Sequence, residues 1–175
     1  MNSFMTRMLR AAKLDVTFYE EVEADQSAMP QAMGVVVLSS LAAGVASVAN
    51  LGFGGLLLGT LAALGSWYVW AWLTYFIGTR FFAEPQTEAD LGQLLRTTGF
   101  SSSPGLIRVL GIIPGLGPIV FAVASIWMLV AMVIAVRQAL DYTSTLRAVG
   151  VCAIGWVIQT IILLLLFALL GGGAN

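Results

Sequence analysis

Between Asp25 and Arg80 the sequence carries no Asp, Glu, Lys or Arg, and two further charge-free runs follow, one from Arg108 to Arg137 and one after Arg147. A bilayer is crossed by about 20 consecutive apolar residues, so these gaps point to a chain folded back and forth through a membrane. The eight basic residues fall into four clusters: Arg7, Arg10 and Lys13; Arg80 and Arg96; Arg108; Arg137 and Arg147. The nine acids keep to the same intervals, with Asp15, Glu20, Glu21, Glu23 and Asp25 before the first apolar run, Glu84, Glu88 and Asp90 before Arg96, and Asp141 after Arg137. Only Arg108 falls where membrane is expected.

Composition excludes most other classes. With 59% hydrophobic and 10% charged residues, against about 25% charged in soluble domains, the chain must use lipid as solvent. A net charge of -1 offers no basic surface for nucleic acid. No His and one Cys rule out zinc, iron–sulfur and disulfide frameworks on ligand count, and His-ligated haem with them; no cofactor and no metal are expected. Neither a nucleophile–base pair, a phosphate loop nor a catalytic carboxylate pair stands in the apolar runs, so an enzyme is not expected. The basic N-terminus lacks the short apolar run and small-residue cleavage site of a removable signal.

Spacing sets out a path. Residues Ser3 to Lys13 place Phe4, Met5, Met8, Leu9 and Ala12 on one side and Arg7, Arg10 and Lys13 on the other, an amphipathic helix suited to an anionic membrane surface. Thr17 and Glu20 have the spacing of a capping box, predicting a second short helix that presents Glu20, Glu21, Glu23 and Asp25 to water. Residues 1–30 thus form a cytoplasmic segment and 31–175 a transmembrane domain, with helices at about 31–50, 56–77, 97–113, 119–140 and 148–170. Trp67, Trp70 and Trp72 suit a headgroup-level belt. Thr87 to Asp90 resemble a helix start, and Leu91, Leu94 and Leu95 would lay a second amphipathic helix, Glu88 to Thr98, on the surface. Asn50 and Gln159 are expected to link helices for about 1 kcal/mol or less, Gly55 with Gly59 to mark a close contact, and Cys152 to pack as a small residue.

The fold class that follows is all-α, a polytopic five-helix bundle with surface helices and a short, broken third crossing. Pro104 to Ile113, wound as an α-helix, would cover about 15 Å of a hydrocarbon core near 30 Å. Thr97 to Ser103 would then fill the inner half as irregular backbone, which membranes tolerate only beside protein or a cavity. Ser101, Ser102, Ser103 and Arg108 are therefore the candidate intramembrane polar site, Arg108 either bonding free carbonyls or meeting a ligand. With the N-terminus in the cytoplasm, seven basic residues lie inside and the turns at Leu51–Gly55 and Pro114–Pro118 export none, which puts the C-terminus outside.

Three stretches carry a family likeness: LDVTFYEEVEAD, SSSPGLIRVLGIIPGLGPIV and WMLVAMVIAVRQALDYTSTLRAV. Together they resemble a prokaryotic member of the YIP (Ypt-interacting protein) domain family over nearly the whole chain. The likeness implies five membrane helices, a cytoplasmic N-terminus and, in eukaryotic members, binding of Rab-type GTPases. Those members carry an Asp-Leu-Tyr-Gly-Pro motif, represented here by Asp15, Tyr19 and Glu20 without the Gly-Pro; with Glu21 these form the candidate partner-binding residues. The expected function is association with the bilayer, with a second copy or with a larger membrane assembly. The rival expectations are a small-solute or ion transporter built around the third crossing and an accessory subunit of an energy-transducing complex.

Overall fold

A computed structural model describes residues 3–45 and 48–171, and all regular structure among them is helical. In chain order these are α1 (Phe4–Ala12), α2 (Val16–Ala24), a 3-10 turn (Gln26–Ala28), α3 (Met29–Gly44), α4 (Val48–Phe81), α5 (Leu91–Phe100), a 3-10 helix (Ser103–Ile112), α6 (Gly117–Ala139) and α7 (Thr145–Gly171). Four stretches are long and apolar enough to cross a membrane: Gln26–Gly44, Gly52–Phe81, Gly117–Ala139 and Thr145–Leu165. Many of their large apolar side chains point outward, among them Leu57, Leu61, Ile126, Leu129, Trp156 and Leu164, as a lipid-facing surface requires. The chain enters the second span through Gly52, whose φ of 65° is strained for residues other than glycine. The Asn50 side chain and residues 172–175 lie outside the described residues.

The first helix has its expected bounds, with Ser3 and Lys13 as its caps, but the second departs from the sequence reading at its cap. α2 is capped by Asp15, whose carboxylate accepts from the Phe18 amide at 3.2 Å, and the Thr17 hydroxyl donates to the same oxygen at 2.7 Å. Thr17 is thus inside the first turn and cannot be the cap. Leu14, at φ 62°, breaks the chain direction just before it.

A larger correction concerns α5. Asp90 and Gln93 close its capping box, but the helix does not lie on a surface: Leu94 to Phe100 are all buried. Its polar residues stop being polar to the surroundings. Thr97 donates to the Gln93 carbonyl at 2.9 Å, Thr98 to the Leu94 carbonyl and Ser101 to the Thr98 carbonyl at 2.7 Å. Gly99 lets α3 approach so closely that a Cβ there would stand 2.8 Å from the Ala32 Cβ. Thr97 to Phe100 are consequently regular helix rather than irregular backbone.

After α5 the chain winds more tightly. The ten-residue 3-10 helix Ser103–Ile112 rises about 2.0 Å per residue where an α-helix rises about 1.5 Å, so it covers about 20 Å. It packs between α3 and α6. The tryptophan belt is corrected as well: the Trp67 indole donates to Thr98 at 3.2 Å and the Trp70 indole contacts the Met132 sulfur at 3.1 Å, so both face the bundle interior. Trp72 faces outward, stacked on Phe76. A Cβ on Gly59 would meet no atom within 4 Å among the described residues. Cys152 is buried in the core with Leu73, Leu140 and Val151.

One end of the bundle is stapled by Glu84. Its carboxylate accepts from the Thr143 hydroxyl at 2.7 Å and the Thr143 amide at 3.0 Å, and pairs with Arg147 at 3.3 Å. The Thr143 hydrogen bonds chiefly hold this carboxyl down at about 2. Beside it the Tyr142 hydroxyl donates to the Gly78 carbonyl at 2.8 Å. The C-terminal ends of α4 and α6 are therefore neighbours.

Close approach at the 3-10 helix yields a test. A Cβ on Gly105 would collide with the Ser39 hydroxyl and stand 2.9 Å from the Met128 sulfur. Gly105→Ala should destabilise the protein by about 1–3 kcal/mol, and Ser39→Gly in the same chain should restore part of that loss. Denaturant unfolding in detergent measures both.

Candidate functional site

Two polar assemblies stand out, one at the N-terminal helices and one inside the bundle. α1 and α2 are held together by charge. Arg7 donates to Asp25 at 2.7 Å and to Gln31 at 3.1 Å, and Arg10 donates to Asp15 at 2.7 Å and to Glu21 at 2.6 Å. The Arg10 guanidinium, with the Thr17 hydroxyl, holds the Asp15 carboxyl down at about 2. Of the three expected membrane-surface cations, two are thus engaged by carboxylates of the same chain, and Lys13 is exposed.

The inner side of this helix pair is core. Met8, Ala11, Phe18, Tyr19 and Val22 pack against Ala32, Val35, Phe100 and Ala135. Tyr19 is fully buried and donates from its hydroxyl to the Ala11 carbonyl at 3.3 Å; burial pushes its pKa up. The Trp127 indole on α6 donates to the Ala12 carbonyl at 2.7 Å, closing the end of α1 as an open helix terminus requires. The outer side keeps Met5, Leu9 and Val16 exposed. Of the candidate partner-binding residues, Tyr19 supports the fold from within and Asp15 caps α2. Glu20, on the outer face, accepts from Gln138 of α6 at 2.9 Å.

Arg96 is the residue that sequence reasoning missed. It is 5% exposed, and its Nε donates to the carbonyls of Val22 and Glu23, each at 3.1 Å, while Nη2 also donates to Glu23. A cation on the last carbonyls of a helix satisfies open acceptors and the negative end of the helix dipole together. The only signal was its place among Leu94, Leu95 and Thr97 on an otherwise uncharged helix. Next to it the Glu23 carboxylate accepts from Gln93 at 3.1 Å. Burial first, then the charge of Asp141, pushes the Glu23 carboxyl up to about 7, with Arg96 opposing.

The second assembly lies within the bundle. Ser102 and Arg108 line a cavity of about 260 Å³ together with Ser39, Ser40, Ser66 and Gln159. The indole-bearing walls are Trp67 and Trp70. In a 3-10 helix positions i and i+3 eclipse, so Ser102, Gly105 and Arg108 share one face, which α-helical winding would have split. Arg108 donates from Nη2 to Ser125 at 3.1 Å and sits 5.5 Å from the Phe121 ring centroid. Its buried Nε has no protein partner among the described residues, and neither has the Oε1 of Gln159, whose amide nitrogen bonds Ser66 across α7 and α4. The interhelical role expected of Gln159 is thus half of what it does. Ser101 turns back to its own helix, and Ser103 is buried without lining the cavity.

Two predictions follow from the N-terminal clasp. Arg96→Met should leave the carbonyls at the end of α2 open and cost roughly 3 kcal/mol, seen as faster hydrogen exchange across residues 4–24. Glu23 binds its proton more tightly folded than unfolded, so stability should fall as pH rises from the unfolded value of 4.5 to about 7. Partial solvent exposure holds this to about 1 kcal/mol, and Glu23→Gln should flatten the dependence in thermal unfolding.

Compared with protein-family models, residues 16–168 match the Yip1 domain. Searches of curated proteins and of solved structures find no match.

Proposed function

Because the chain belongs to the Yip1 domain family, a family of multi-pass and generally non-enzymatic membrane trafficking proteins, we propose that it works by association, as a five-pass scaffold carrying a folded cytoplasmic cap. The observation that carries this reading is the cap itself. α1 and α2 neutralise each other's charges, are pinned by Arg96 and Trp127, and keep Met5, Leu9 and Val16 outward. An apolar strip held rigidly against the bundle suits contact with the lipid of a leaflet. The face of α2 around Glu20 and Glu21, rimmed by Asp15, is the surface for a second copy or a larger assembly.

Connectivity supports the fifth pass. The C-terminal ends of α4 and α6 meet at Gly78 and Tyr142, while α6, with 23 residues, is about 34 Å long. The chain must travel that length between Glu84 and Gly117. α5 contributes about 15 Å and the 3-10 helix about 20 Å, enough together for a core near 30 Å. The stapled end also gathers Arg80, Arg137 and Arg147, as expected of a cytoplasmic face, in what we read as a prokaryotic plasma membrane.

Topology and association are separately testable. Single cysteines at Thr143 and Gly115, in a Cys152→Ala background, should be labelled by an impermeant maleimide from opposite sides of the membrane; labelling from one side overturns the fifth pass. Protein expressed at native level and purified in mild detergent should run larger than a monomer by light scattering, or carry a stoichiometric membrane protein. A strictly monomeric particle without either overturns association. The polar cavity favours the transport alternative, and equal liposome flux for wild type and Arg108→Ala would remove it.

A further inference from the structure

Arg108 and Gln159 reach the same cavity from the 3-10 helix and from α7, and each brings a buried polar atom with no protein partner among the described residues. They are of opposite sense, Nε of Arg108 a donor and Oε1 of Gln159 an acceptor. An unmet buried polar group costs about 1–3 kcal/mol, so a polar occupant is indicated. The 260 Å³ cavity holds several waters, room for a small head group.

Charge narrows the choice. The ion pairs among the described residues involve Arg7, Arg10 and Arg147, and no carboxylate pairs with Arg108. A guanidinium at membrane depth calls for a compensating anion, and Arg geometry suits phosphate or carboxylate oxygens. Hydroxyls of Ser39, Ser66 and Ser102 stand around it as further donors, while Ser40 gives its proton to the Val37 carbonyl.

An apolar groove of about 780 Å³ between α6 and α7 adjoins this cavity. Trp70 lines both, and Ser125, the hydrogen-bond partner of Arg108, lies in the groove wall. Leu129, Val133, Val149 and Trp156 give the rest of that wall its apolar character. A cationic polar pocket beside an apolar trough has the complementarity of one amphiphile.

We propose that the bundle binds a single membrane lipid with an anionic head. Its phosphate or carboxylate meets Arg108 and the serine hydroxyls, a head-group hydroxyl donates to Gln159 Oε1, and one chain lies between α6 and α7. This site does not depend on the association reading, since it uses none of the cap residues.

Native mass spectrometry of the full chain, delipidated in detergent and titrated with dioleoyl-phosphatidylglycerol or dioleoyl-phosphatidylcholine, tests it. The expected result is a one-lipid adduct favouring phosphatidylglycerol about tenfold, weakened about tenfold by Arg108→Gln. Filling the groove with Ala153→Trp should weaken it as well, and inorganic phosphate should compete poorly. Equal retention of both lipids, or an adduct indifferent to Arg108→Gln, overturns the proposal. So does full displacement by inorganic phosphate with Ala153→Trp silent, which would mark an oxyanion site without a chain. Should Arg108→Gln fail to elute as a folded species, Gln159→Leu and Ser39→Ala carry the same comparison, and unchanged selectivity in both overturns it.

Discussion

Hydrocarbon surroundings penalise every charge and every open backbone group that lacks a partner, and the arrangement of this chain follows from how those partners are found. Arg7 and Arg10 are met by Asp25, Asp15 and Glu21, so neither arginine of α1 is left as a bare charge against the bundle. Arg96 is met by the carbonyls that α2 leaves open at its end. The acceptors needed a donor and the guanidinium needed acceptors; burying them together removes two costs with one contact. Tyr19, Phe18 and Val22 can then be core, which makes the N-terminal helices part of the fold rather than a tail.

The same demand shapes the segment between α4 and α6. α5 hides its threonines and its serine by turning their hydroxyls onto its own carbonyls. Gly99 and Gly105 then let α3 come within reach of bare backbone. The 3-10 winding gains length per residue and brings Ser102 and Arg108 to one face. Length and polarity are thus linked: the winding that stretches ten residues along the bundle also assembles the cavity wall.

Legibility in the sequence varied with the range of the cause. The charge-free runs became the four long apolar helices, since hydropathy is a property of neighbouring residues. Gln159 and Cys152 were read correctly as an interhelical bonder and a packing residue. Trp67, Trp70 and α5 were misread because amphipathic aromatics and short Leu- and Thr-containing helices suit an interface and a packed interior equally, and only their neighbours decide. Nothing local marked Ser39, Ser40 and Ser66 as companions of Arg108, which lie some forty residues or more away.

What the sequence by itself determined is the class: all-α, with several apolar helices long enough to cross a membrane. These rest on composition and on local spacing, which survive any packing of the helices. Tertiary structure decided which polar groups are paired and which are left facing a cavity. That depends on contacts across tens of residues, such as Arg96 with Val22 and Gln159 with Ser66, and on the choice of 3-10 over α winding, whose free-energy difference is set by the helices packed on either side.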